Sequence, residues 1–198
     1  MVKFYMTKRL RLIVILLLML VGITQVARGG WIYAKASLAQ YLLLAAWEQT
    51  LHDKANHKPW SWADTWPVAR LQAPRLAADV MVLYGDHGEA LAFGPGHHSR
   101  SAMPGTAGTI LVGGHRDTHF KFVQQLQAGD LLSLQSDTGD WLDYRVTSMT
   151  IADTRTDQVV TDEAGSRLVL VTCWPFDSII PGGPLRYVVD AEPVVRSF

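Results

Sequence analysis

The chain reads as an all-β domain, a barrel or a sandwich, carried behind an N-terminal membrane segment. Three observations lead there. From Arg75 onward, short apolar or alternating runs are separated by turn formers: Tyr84-Gly-Asp-His-Gly88, Gly94-Pro-Gly96, Met103-Pro-Gly105, Asp137-Thr-Gly-Asp140 and Pro181-Gly-Gly-Pro184. No helical pattern follows each strand pattern, so a parallel α/β sheet is not supported. The first segment is basic and then continuously apolar, unlike anything after it.

Taken in order, Lys3, Lys8, Arg9 and Arg11 precede the uncharged run Leu12 to Ala27, which Arg28 closes. As a helix that run spans roughly 24 Å, short of a hydrocarbon core of about 30 Å. Gly29, Gly30, Trp31, Ile32 and Tyr33 complete the crossing, with Arg28 snorkelling and the aromatics at the interface. The excess of basic residues before the run puts the N-terminus in the cytoplasm and the rest of the chain outside, in a single pass. Ala34-Lys35-Ala36 has the form of a signal cleavage site but lies far from the apolar run, so a retained anchor is the preferred reading. The chain then divides into 1–33 (basic segment and anchor), 34–58 (amphipathic helix and linker) and 59–198 (β domain).

Ala34 to Thr50 carries Leu38, Tyr41, Leu42, Ala45 and Ala46 at helical spacing, which predicts an amphipathic helix. After a polar stretch, Pro59 to Pro67 holds Trp60, Trp62 and Trp66 and is too rich in Pro and Trp for a regular element. Its tryptophans are expected to staple the entry segment onto the core. Candidate strands are Asp79–Leu83, Ala90–Phe93, Thr109–Gly113, Asp130–Gln135, Trp141–Ile151, Arg167–Thr172 and Leu185–Asp190, with one short helical turn at Phe120–Leu126. The Trp141–Ile151 region and the Thr154–Gly165 connection are expected to line a groove.

Lys+Arg and Asp+Glu are both 18, so the formal charge is zero and a nucleic-acid partner, which needs a basic face, is not indicated. The 198 residues contain one cysteine, Cys173. An exported chain normally pairs its cysteines, and a solitary thiol cannot, so a chemical use competes with that of a small buried hydrophobe. Cys173 ends the apolar run Arg167 to Thr172, His115 follows the run Thr109 to Gly114, and Arg186 opens another. Residues at strand ends share a rim, and a nucleophile, a proton carrier and a fixed cation are the parts acyl transfer needs. A thiol ordinarily ionises near pH 8.5, so a neighbouring imidazolium or guanidinium favours the reactive thiolate. An imidazole can protonate a departing amine, and a guanidinium can fork onto an oxyanion.

These residues carry a family resemblance. Leu168-Val-Leu-Val-Thr-Cys173 resembles the Thr-Leu-x-Thr-Cys signature of sortases, with Val169 where the first Thr stands. Gly114-His115 and Arg186 occupy the family's two remaining positions. The strings Gly114-His-Arg-Asp-Thr-His-Phe120, Val171-Thr-Cys-Trp-Pro-Phe-Asp177 and Pro181-Gly-Gly-Pro-Leu-Arg-Tyr-Val-Val189 resemble the subgroup of Gram-negative bacteria. The resemblance runs from about Trp60 to the C-terminus and implies a closed eight-stranded β-barrel with short helices. It implies a cysteine transpeptidase that cuts a Leu-Pro-x-Thr-Gly-like C-terminal sorting signal of a surface protein, through a thioester, and transfers it to an amine acceptor. Cys173 would be the nucleophile, His115 the general acid and base, Arg186 the oxyanion stabiliser, and Thr172 would shape the substrate pocket. No metal or organic cofactor is implied. The enzyme would sit in the inner membrane with its catalytic domain in the periplasm.

Two other readings compete. His115 and His119, with Asp117 between them and His97-His98 upstream, could form the metal site of a hydrolase, although Gly113-Gly114 argues for a loop rather than a helix there. A non-catalytic exported binding module would use the tryptophan stretch. Asp117 and Asp177 are equal candidates to orient His115, and neither is assigned.

Overall fold

The computed structural model describes residues 8–157, 165–178 and 182–194. Lys3, most of the Thr154–Gly165 connection and Pro181 lie outside the described residues. The chain divides into two compact units, Met1–Gln40 and Tyr41–Phe198.

The first unit is helical throughout its described length. It carries most of α1 (Lys8–Asp53), whose most apolar window has a mean hydropathy of 2.4, long and apolar enough to cross a membrane. Leu12, Leu18, Ile23, Val26, Trp31 and Tyr33 are all exposed. Such a surface is costly in water and favourable in lipid, where a helix also satisfies its own backbone. Gly29 and Gly30 do not interrupt the helix, because an i to i−4 ladder tolerates glycine at about 1 kcal/mol each.

In the second unit, the last turns of α1 bury Leu43 and Trp47 against Met81, Leu83 and Ala90. Trp47 Nε1 donates to Gln135 Oε1 at 3.1 Å. Lys54 then takes a left-handed turn (φ 63°), and its Nζ donates to the carbonyls of Leu51, Asp137 and Thr138, tying the helix end to a hairpin. Of the three tryptophans that follow, Trp60 packs edge-on against Phe93 and Trp66 stacks on Tyr84 at 4.3 Å, while Trp62 is 83% exposed. Two of them therefore staple and one does not.

Eight strands follow: β1 (Pro67–Ala73), β2 (Ala78–Tyr84), β3 (Gly96–His97), β4 (Thr109–Gly114), β5 (Leu131–Gln135), β6 (Trp141–Asp153), β7 (Arg167–Cys173) and β8 (Leu185–Pro193). They close in the order β1-β2-β3-β4-β7-β8-β6-β5, with β5 pairing back onto β1. The fold class is the closed eight-stranded barrel with few helices. Leu71, Val82, Ile110, Val112, Leu132, Leu134, Leu168, Leu170 and Val189 fill it and are essentially unexposed. Closure removes the sheet edges that an open sheet would leave unpaired.

Two strand assignments need correction. Ala90–Phe93 is not a strand but the end of the short helix α2 (Gly88–Phe93). The run has no β-branched residue, Ala90 is fully buried on one side, and Gly94 N–H closes the last turn onto Ala90. Pro67 reads from sequence as the close of the tryptophan stretch and the residues after it as no element, yet Pro67–Ala73 is a full strand of the barrel wall, paired with β2 and β5. Phe120–Leu126 is a tight helical segment as expected, at Lys121–Gln125.

Candidate functional site

Register builds the site. Strands β4 and β7 are parallel, matched residue for residue from Thr109↔Arg167 to Gly114↔Thr172. Parallel neighbours end together, so His115 and Cys173 leave the sheet side by side. Strand β8 runs antiparallel to β7 and sets Arg186 directly opposite Cys173. A cleft of about 360 Å³ opens at this end, lined by His115, Thr172, Cys173 and Arg186 together with Leu91, Leu111 and Asp86. Three residues separated by up to 71 positions in the chain (His115 to Arg186) thus share one rim, as the strand-end reading anticipated.

Each position is held by identifiable contacts. Thr172 is buried, and its Oγ1 donates to the Gly114 carbonyl at 2.7 Å, locking the end of β4 to the end of β7. A Cβ at Gly114 would stand 2.6 Å from Cγ of Phe120, so only glycine lets that fully buried ring plug the base of the His115 loop. Phe120 N–H closes the loop onto the His115 carbonyl at 3.0 Å. Arg116 Nη2 donates to the Ser178 carbonyl at 2.6 Å, linking the histidine loop to the segment after Cys173. His115 itself is exposed, and Cys173 and Arg186 are half-buried. Arg186 Nη1 donates to the carbonyls of Gly183 and Leu185, which fixes the guanidinium at the β8 entry. Trp174, Phe176 and Tyr187 pack on one another at 5.1–5.7 Å and pin the segment beyond Cys173 to β8. That trio was not foreseen.

The other histidines have different employment. The His119 ring bonds the backbone of Ala92, and burial pushes its pKa down, with nearby His115 adding to the fall. His97 is fully buried, with Nε2 bonded to the Ala102 carbonyl at 2.9 Å and close to Ser101 Oγ; burial lowers its pKa too. His98 Nδ1 pairs with Asp86 Oδ2 at 2.7 Å. Among the described residues no group of three or more His, Cys, Asp or Glu is placed to hold a metal ion. Asp117 and Asp177 are exposed. Asp86 was not singled out from sequence, where it reads only as part of a turn.

Residues 71–194 match the sortase domain family. The chain is similar to Sortase D of Bacillus subtilis (strain 168), 32% identical over 125 residues, which are 63% of this chain and 62% of that protein. It therefore spans under two thirds of that curated relative. Among solved structures, a Clostridium perfringens Sortase D5 transpeptidase has the same fold, with a TM-score of 0.59 and 22% identity over 75% of this chain and 87% of that one. The catalytic domain of B. anthracis SrtD is similar at a TM-score of 0.55 and 29% identity, over 65% and 88% of the two chains.

Proposed function

The chain belongs to the sortase family, and on that premise we propose that it is a cysteine transpeptidase acting on a C-terminal sorting signal of the Leu-Pro-x-Thr-Gly kind. The observation that carries the reading is the register: Gly114 against Thr172 and Cys173 against Arg186, around one cleft. The chemistry then follows from residue type. The Cys173 thiolate attacks the carbonyl carbon of the signal's Thr, and the carbonyl oxygen takes the negative charge. Arg186, held through Nη1 and with no other side-chain hydrogen bond among the described residues, would donate to that oxyanion. His115 gives a proton to the departing Gly nitrogen, too basic to leave as an anion, and the C–N bond breaks. A thioester remains on Cys173. An amine attacks it, its proton passes to His115, the C–S bond breaks and the thiolate is restored. Water is the slow alternative nucleophile. Thr172 shapes the pocket through its bond to Gly114 rather than by offering a free hydroxyl.

The apolar helix suits a membrane anchor. We propose a single pass with Lys8, Arg9 and Arg11 on the cytoplasmic side and the barrel in the periplasm, where a surface-protein substrate and an amine acceptor would meet it. The proteobacterial subgroup stands on the chain's own strings around His115, Cys173 and Arg186. The relatives named above come from Gram-positive organisms and lend that subgroup no support.

The test uses the full chain in detergent with a library of Leu-Pro-containing peptides and hydroxylamine. Cys173-dependent hydroxamate from a sorting-signal peptide is the expected result. No product from any member would reject the transpeptidase in favour of a binding module.

A further inference from the structure

We propose that Asp86 is a specificity residue for the second half-reaction, selecting a cationic amine as the nucleophile that enters beside His115; this rests on the transpeptidase reading. Among the described residues lining the cleft, Asp86 is the one carboxylate, facing a rim otherwise supplied with His115 and Arg186. A negative charge cannot serve the oxyanion, which it would repel. It does suit a primary amine, which travels at neutral pH as its ammonium ion and must be gathered before it can react.

The carboxylate is positioned, not loose. Strands β2 and β3 run parallel and are paired at Tyr84↔His97, so the residues that follow them emerge together. Gly85 N–H donates to the His97 carbonyl at 3.0 Å. Gly96 lies so close that a Cβ there would stand 2.2 Å from the Gly85 oxygen and 2.9 Å from the Asp86 Cα. His98 Nδ1 holds Oδ2 at 2.7 Å, and Oδ1 makes no hydrogen bond among the described residues. Asp86 enters from the β2–α2 connection and Arg186 from β8, so the two charges come from different walls. That separation matches an acyl half-site at Arg186 and an amine half-site at Asp86.

In the step itself, the bound ammonium first releases one proton to bulk water. The free amine then attacks the thioester, its second proton passes to His115 as the C–N bond forms, and the C–S bond breaks with Cys173 leaving as thiolate. As the amine attacks, its nitrogen again takes on positive charge, so the carboxylate stabilises the transition state about as well as the bound ammonium, and its effect falls on KM for the amine rather than on kcat.

The experiment sets two nucleophiles in competition on the full chain, with a sorting-signal peptide as acyl donor: n-propylamine, cationic near neutrality, and hydroxylamine, largely uncharged. Asp86→Asn should lower the ratio of propylamide to hydroxamate about fivefold, the scale of one solvent-screened charge contact. The change should appear in KM for propylamine, and raised salt should erode the wild-type preference. An unchanged ratio would overturn the proposal. So would both products falling together with a raised KM for the peptide, which would put Asp86 on the acyl donor. If the wild-type chain forms no thioester at all, the transpeptidase reading fails first and takes this inference with it.

Discussion

The barrel carries two clefts of nearly equal size at its opposite ends, about 360 Å³ beside Cys173 and about 390 Å³ beside Trp141. The pairing of β6 with β8 separates them: Ala152 lies against Arg186 at one end and Tyr144 against Pro193 at the other. Their chemistry differs more than their volume. The far cleft is lined by Trp141, Asp143, Tyr144 and Gly105 among others, with no thiol, imidazole or guanidinium among its described lining residues. Asp143 there accepts the Ser133 hydroxyl at 2.7 Å, and Tyr144 is buried with its phenol pushed up by desolvation. Size does not distinguish the ends. The parallel β4–β7 pair does, because it delivers two chain segments to one rim with their side chains adjacent.

The sharpest way to break that contrast is to remove one lining side chain from each end. Cys173→Ala should abolish hydroxamate formation, while Trp141→Ala at the far end should leave turnover within about twofold, as surface changes away from the chemistry usually do. Comparable losses in both would deny the ends their different roles. Next in size, Arg186→Lys should lower kcat about 100-fold, since an ammonium keeps the charge but loses the planar fork. A near-normal rate would reject the oxyanion role.

Gly114→Ala is a subtler probe, because Gly114 touches no substrate in this account. The added Cβ meets the Phe120 ring at 2.6 Å, in a fully buried site. It should displace the His115 loop, lowering kcat about tenfold at a stability loss of roughly 1–3 kcal/mol, the usual scale of overpacking. Unaltered kinetics in a folded variant would show that the plug does not position His115.

The smallest effect concerns pH, and the two ends should respond oppositely. His97 and His119 have pKa values lowered from 6.5, so below that pH the unfolded chain binds more protons than the native one. Stability is full above about pH 6.5 and declines as pH falls. Tyr144 has a pKa raised from 10.0, so the native state holds its proton longer and stability declines as pH rises past that value. Urea midpoints at pH 5.5, 7.5 and 10.5 should therefore peak at the middle value. A midpoint unchanged between 7.5 and 5.5 would contradict the burial of neutral imidazole.

Much of this was readable in the residues. Thr109–Gly113 and Arg167–Thr172 are dense in β-branched and aliphatic side chains, and both form strands to within one residue. Local density also explains the failures. Pro67-Val-Ala-Arg-Leu-Gln-Ala73 spaces its apolar side chains among small ones, so its strand character comes from pairing with β2 and β5, not from propensity. Gly96–His97 is too short to show a period, yet it forms the bridge between β2 and β4. Ala90–Phe93 is apolar without being β-branched, and a helix buries it equally well. Cys173, His115 and Arg186 stand out by type and by place at strand ends. Asp86 does not, since only the parallel β2–β3 pairing brings it to the cleft.

The central claim is that the Cys173 sulfur becomes acylated. Acid-quenching the full chain after brief exposure to a sorting-signal peptide and weighing it intact tests this most directly. The account predicts a mass gain equal to the peptide portion ending at Thr, mapped to Cys173 and released by hydroxylamine. An unchanged mass under turnover conditions, or the same gain in Cys173→Ala, would contradict it.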